Sequence, residues 1–429
     1  TLLENVFSNN AITSSPYSAE YGAGIVVEQD DSSDSVIVLK GNYLEYNEAW
    51  RYGAAGIAVS RWGQDGSLLL EQNTVFRNFA PAAPFGLNDY FNRGTGGIKI
   101  NAGNPVIRFN QISSNIDDQG HNEALAIQSG GSAIGVGGAV PLIQYNTIVG
   151  NEARPNESVD QDRPLPGHTI FSYGGFNFTH NNILGNEGTY ELYLSNYNNQ
   201  REDVQAQNNY WGTTDADTIR YDKVYDYWQE FEPGEAFFQP FLTAPEPLAP
   251  AFLWEASTYP PDPVGPETMT VTLDFSKAMN TAITPTVTFG VDEPYTQHAI
   301  EDGGWISPTR WVGAYEVTVD TGDGINTLRV SGAEDGDGME IPRDTRFDFV
   351  IQTAGTQAIL LEGTASVGQV DLTWTQNDVT DLAGYILYRS PHTNTNYSQT
   401  GGGMFVETAY TDTHVTNGTT SCYKYPLPA

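Results

Sequence analysis

Leu70-Glu71-Gln72-Asn73-Thr74-Val75-Phe76-Arg77-Asn78 decides the fold. Two Asn residues stand five apart, one apolar side chain lies two residues after the first, and another lies three before it. The spacing returns at Asn5/Asn10, Asn42/Asn47, Asn110/Asn115, Asn146/Asn151 and Asn181/Asn186, and a further unit opens at Asn208 without its second Asn. Successive first Asn residues are 37, 31, 37, 36, 35 and 27 residues apart. A period in this range marks a stacked array. Leu2, Leu39, Ile107, Ile143 and Phe178 precede the Asn, and Phe7, Leu44, Ile112, Ile148, Ile183 and Tyr210 follow it.

Between these units lie short runs bounded by Gly: 24–27, 56–59, 97–100 and 133–136. Their alternation has a period of two and they favour β-branched residues, so the repeat is built of strands, not helices. One coil cannot bury its apolar face alone, but stacked coils can. The Asn residues fall at the turns between strands. Asn tolerates the left-handed conformation such turns need, and stacked amides can hydrogen-bond from coil to coil. Asn5, Asn42, Asn73, Asn110, Asn146, Asn181 and Asn208 are therefore expected to form a structural ladder.

The repeat closes at Asn208-Asn209-Tyr210-Trp211-Gly212, followed by Tyr225-Asp226 and Pro240-Phe241-Leu242. This ending resembles the last coil of right-handed parallel β-helix domains on microbial surface proteins, which implies that fold for residues 1–241. Such solenoids host lyases, hydrolases, adhesins and structural proteins alike. Residues 242–251 hold three prolines and read as a semi-rigid linker. Residues 252–355 alternate in short strands with Gly/Asp turns, as in a β-sandwich. They resemble bacterial Ig-like modules, with Trp305 and Trp311 as core or inter-sheet residues. From 356 to 429, Val370–Trp374, Gly384–Arg389, Tyr410–Asp412 and Cys422–Tyr425 resemble strands of a fibronectin type III domain, and that resemblance implies that its last strand is missing. The expected architecture is all-β: a right-handed parallel β-helix solenoid followed by two β-sandwich modules, the last incomplete.

The chain of 429 residues carries a net charge of −34. Up to Phe241 there are 29 acidic and 12 basic residues, and beyond it 24 and 7, so the charge covers the whole surface. It repels nucleic acid, anionic membranes and polyanionic glycans. Cys422 is the only cysteine, which excludes an intrachain disulfide. No apolar run approaches the ~20 residues of a membrane-spanning helix. The chain starts at Thr1 without initiator Met or leader, as expected of a processed secreted protein or a piece of a longer one. Leu2, Asn5 and Phe7 are already in repeat register, so the first coil is expected to be an uncapped, pairing-competent edge.

Candidate chemistry is sparse. Lys99, with Arg77 and Arg108 in nearby coils, is the basic cluster a polyuronate lyase would need, against an opposing overall charge. Asp117-Asp118-Gln119-Gly120-His121 holds the residue types of a polygalacturonase site but crowds them into one loop. His168 and His180 can face one another, without further ligands for a metal. Asp320/Asp323 and Asp335/Asp337 sit in acidic turns that suit calcium, and the sequence points to no other cofactor. Sequons occur at Asn156, Asn177, Asn396 and Asn417.

Two readings of function follow. The first is an extracellular, non-enzymatic structural protein of the cell surface, self-assembling as a filament or surface layer through its open edges or joining other surface proteins. The second is a polysaccharide-binding adhesin, or a lyase or glycoside hydrolase, acting through the β-helix groove. The inserts 79–96, 116–131 and 152–167 would wall that groove, and Trp50, Trp62, Tyr90 and Phe91 would stack on sugars.

Overall fold

The computed structural model describes residues 1–12, 24–28, 35–49, 54–61, 67–81, 95–101, 103–118, 131–136, 140–154, 167–172, 174–195, 201–353, 361–375, 384–390, 397–401, 404–416 and 419–428. The chain is all-β and divides into two compact units, Thr1–Phe252 and Leu253–Ala429.

The first unit is a parallel β-solenoid. A complete rung passes in turn through four sheets, which hold eight, six, five and seven strands in all. In one rung these strands are Ser67–Glu71, Thr74–Phe76, Phe79–Ala80 and Ile98–Ile100. The register is strict: Val75 lies between Leu44 and Ile112, and Leu70 between Leu39 and Ile107. The apolar positions of the repeat therefore stack inside, where Leu70, Val75, Ile107, Ile112, Ile143, Ile148, Phe178 and Ile183 are fully buried. Each such side chain contributes roughly 2 kcal/mol on leaving water.

The Asn residues sit inside the two corners that flank the six-stranded sheet. Asn73 gives both its main-chain N–H and its Nδ2 to Asn110 Oδ1, each at 2.9 Å, and Asn110 Nδ2 reaches back to Leu70 O at 3.0 Å. One ladder runs through Asn5, Asn42, Asn73, Asn110, Asn146, Asn181 and Asn209 with Nδ2–Oδ1 distances of 2.9–3.1 Å. The other runs from Asn10 through Asn47, Asn78, Asn115 and Asn151 to Asn186 at 2.8–3.0 Å. It ends on Glu191, whose Oε2 accepts from Asn186 Nδ2 at 2.9 Å and whose other oxygen meets Lys223.

Two details differ from the sequence reading. The left-handed residue is not the ladder Asn but the one before it: Glu4, Gly41, Gln72, Phe109, Tyr145, His180 and Asn208 all have positive φ. Bending the chain there turns the next side chain inward, which is what aims the amide at its neighbours. In the last rung Asn208 is that bend (φ 58°), so Asn209, not Asn208, holds the ladder position. A non-glycine residue in this region costs roughly 1–2 kcal/mol, and the amide bonds at each corner offset it.

Residues 204–242 close the end of the solenoid. Trp211 is buried against Phe178. Asp226, also buried, accepts from Arg220 Nη1 at 2.7 Å, Ala236 N at 2.8 Å and Trp228 N at 3.0 Å. A buried carboxylate needs such partners to keep its charge.

The segment expected to be a linker is instead a strap on the six-stranded sheet. Thr74, Gln111, Thr147 and Asn182 form one outward column, and all are buried. Asn182 Oδ1 accepts from Glu246 N at 2.7 Å, Thr147 Oγ1 donates to Pro250 O at 2.6 Å, and Gln111 Nε2 donates to Ala251 O at 3.2 Å. The strap thus runs back along the solenoid and ends on buried Ala251 and Phe252. Its prolines have no N–H to satisfy, so it docks through the Glu246 N–H and the Pro250 and Ala251 carbonyls on side chains of the column, without joining the sheet.

The second unit holds two four-stranded and two three-stranded antiparallel sheets. Trp311 is buried in the first pair, while Trp305 is half-buried and donates to Ile283 O at 2.9 Å. Gly303 and Gly313 make room for Trp311: a Cβ at either would stand 2.1 or 2.3 Å from its ring. Trp374, Tyr385, Leu372 and Leu387 form the core of the second pair.

Replacing Asn110 by Ala strands several buried groups at once and is expected to cost about 3 kcal/mol. Asn10→Ala, at the exposed start of its ladder, is expected to cost less than about 1 kcal/mol. Urea unfolding of the two variants checks this, and equal costs would contradict it.

Candidate functional site

The three long inserts share one corner. Each leaves the five-stranded sheet, after Ala80, Asp118 or Arg154, and re-enters the seven-stranded sheet at Ile98, Gly131 or His168. Their interiors, with His121 and Asn156, and also Trp50, Trp62, Tyr90 and Phe91, lie outside the described residues, as do Asn396 and Asn417.

At this corner the structure brings Lys99 and Asp117 together and separates the rest. Asp117 is buried in a column with Ala80 and Ala153, while Asp118 is half-buried beside Arg154 in the register. Successive strand residues point to opposite faces, so the two carboxylates cannot serve one site. Lys99 is half-buried in the seven-stranded sheet. Burial pulls its ammonium down to about 8, and the charge of Asp117 opposes that pull. The other basic residues do not join it. Arg108 belongs to the eight-stranded sheet, where it meets Glu71 at 2.6 Å opposite Lys40 at 2.7 Å. Burial works against the Glu71 charge, but these two cations hold its carboxyl below the usual range. Arg77 lies at a turn and donates to Tyr46 Oη at 3.2 Å.

His168 and His180 do not face each other. His180 is a corner residue packed at a tilt against Tyr145, which stacks on Phe109. His168 lies in the strand His168–Ser172 and stacks on Tyr193 at 3.9 Å. Lys99, Gly135, Phe171, Tyr193 and Tyr225 occupy one register column of the seven-stranded sheet. The rings of Phe171, Tyr193 and Tyr225 are nearly parallel, 13° and 10° apart. Rings stacked from strand to strand turn their edges outward, so the column consolidates the sheet and offers no face to a sugar. Burial raises the Tyr193 phenol to about 12, and it lifts that of Tyr225, which donates to Glu230.

In the second unit Lys277 stands between the acidic turn residues, 3.4 Å from Asp335 and 2.8 Å from Asp337. Asp335 Oδ1 also accepts from the main-chain N–H groups of Asp337 and Met339. Asp323 Oδ1 accepts from Thr353 N and Oγ1, and Asp320 lies exposed. Among the described residues no three His, Cys, Asp or Glu side chains converge as a metal site. Asn177 is exposed, within the strand Asn177–Thr179.

Comparison with protein-family models gives no match, and comparison with curated proteins gives none either. The chain is thus assigned by its geometry to the class of parallel β-solenoids followed by antiparallel sheets.

Burial holds the His168 imidazole down at about 3, and its Nδ1 has no hydrogen-bond partner among the described residues. Below the ordinary value of 6.5 the unfolded chain binds a proton that the folded chain refuses. Stability from this group is whole above pH 6.5 and falls toward pH 3, by at most about 1.4 kcal/mol per pH unit. His168→Phe keeps a ring in the stack and is expected to lose less stability than the parent between about pH 7 and about pH 4.5. Urea midpoints at the two pH values check this, and identical losses would contradict it.

Proposed function

We propose that the chain is a structural segment of an extracellular surface protein, with the solenoid as a stiff, acidic spacer. The observation that carries this is the pair of gapless amide ladders, Asn5 to Asn209 and Asn10 to Asn186, that lock every rung to the next. A solenoid is quasi-one-dimensional, so its resistance to bending and unwinding rests on nearest-neighbour terms. From the first rung to the Asn181/Asn186 rung each such term includes two amide pairs as well as the apolar stack, and the last step adds the pair Asn181–Asn209. The net charge of −34 keeps such a surface soluble and discourages lateral collapse.

In this reading the solenoid is a right-handed β-helix and the second unit carries two modules. Its first sheet pair, of four strands each, fits an Ig-like sandwich over 252–355. The second pair groups Leu361–Ser366, Gln369–Trp374 and Ala409–Asp412 against Ser398–Gln399, Tyr385–Ser390 and Cys422–Pro428. That grouping, around Trp374, supports a fibronectin type III-like module over 356–429. Tandem modules of this kind suit extracellular display.

Antibodies raised against the purified chain are expected to label intact, unpermeabilised cells of the producing organism. Label confined to permeabilised cells would rule out the surface role.

A further inference from the structure

Trp228 and Phe231 are 58 % and 70 % exposed, whereas Trp211, Trp311, Phe178 and Phe289 are fully buried. They belong to the loop that joins Val224–Tyr225 to Ala236–Phe237 at the closed end of the solenoid. Exposed rings of this size are costly to solubility and mark an interaction surface when they are grouped. Here they are grouped: Tyr227 lies 6.0 Å from Trp228 and 5.3 Å from Phe231, both edge-on.

The loop is held rigid from below. The Asp226 carboxylate binds Arg220, Trp228 N and Ala236 N, and its carbonyl accepts from Gln229 N and Glu230 N. Tyr227 N donates to Gly234 O at 3.0 Å. The indole N–H of Trp228 is fixed on Glu235 at 2.9 Å, and the guanidinium of Arg220 lies over its ring. Arg201 lies over Tyr227 and donates to Phe231 O. The rings are therefore pre-positioned, and a ligand meets them without an ordering cost.

Carboxylates are interleaved with the rings: Glu230, Glu232 and Glu235, with Asp203 accepting from Glu235 N. We infer that this cap is a carbohydrate-binding platform for a neutral polysaccharide. Aromatic faces match the C–H faces of pyranose rings, and carboxylate oxygens accept from sugar hydroxyls. The acidic surroundings repel uronate and sulfated chains, so charge selects the neutral ones. The platform is separate from the insert-lined corner, and its role is independent of the spacer role.

Affinity electrophoresis of the full chain in gels containing glucan, mannan or galactan tests this. At least one neutral polymer is expected to retard the parent protein equally at low and high salt, since no ion pair with the ligand is involved. Trp228→Ala and Phe231→Ala are each expected to weaken retardation about tenfold. Tyr259→Ala, an exposed ring in the other unit, is expected to leave it unchanged. Melting temperatures like the parent's identify the cap variants as folded. Absence of retardation by all three polymers overturns the proposal. So does retardation that survives Trp228→Ala in a folded protein, or that appears only with alginate. Light scattering showing a dimer that Trp228→Ala dissolves would assign the face to a second copy of the chain and overturn it equally.

Discussion

An amide that must point inward at every corner governs this solenoid. A parallel strand stack leaves main-chain N–H and C=O groups at each turn that no neighbouring strand can use, and burial makes them expensive. The Asn side chain answers both kinds at once, because it carries an acceptor and two donors in one plane. Its Oδ1 takes the N–H of the rung before, and its Nδ2 supplies a carbonyl and the next amide. Neither Asp nor Gln fits, the first for lack of donors and the second for length. Everything else in the first unit follows from keeping these amides in line: the strict register, the left-handed residue before each Asn, and the uniform depth of the apolar columns.

Much of this was legible in the sequence because the chemistry admits so few residues. The five-residue Asn spacing and the flanking Leu, Ile and Val located the corners, the interior and the strands. The bend itself was misplaced onto Asn. The true bend positions hold Glu4, Gln72, Phe109, Tyr145 and His180, which share a backbone conformation and no side-chain property. A conformation imposed by the neighbours leaves no compositional trace. The same cause hid the shift from Asn208 to Asn209 in the last rung, where adjacent Asn residues fill both roles.

The chemistry-bearing residues were less readable, since their neighbours come from other strands. Asp117 and Asp118 look like a pair in sequence, and alternation sends them to opposite faces. Asp335 and Asp337 look like a cation loop, and a lysine from far along the chain already stands between them. Trp228 and Phe231 fall outside the repeat register, and the register alone assigns such rings no depth: Trp211, likewise outside it, is buried, whereas these two are exposed.

The proline-rich strap has a mechanical meaning. A pull applied through the chain beyond Phe252 reaches the strap before any rung, at Ala251 first, then Pro250, then Glu246. These bonds lie one after another along the strap and are loaded in turn, whereas the sheet bonds beneath are loaded together. Peeling about ten residues frees roughly 30 Å of chain while the ladders stay intact. The strap is thus a length of chain whose detachment leaves the rungs beneath it paired.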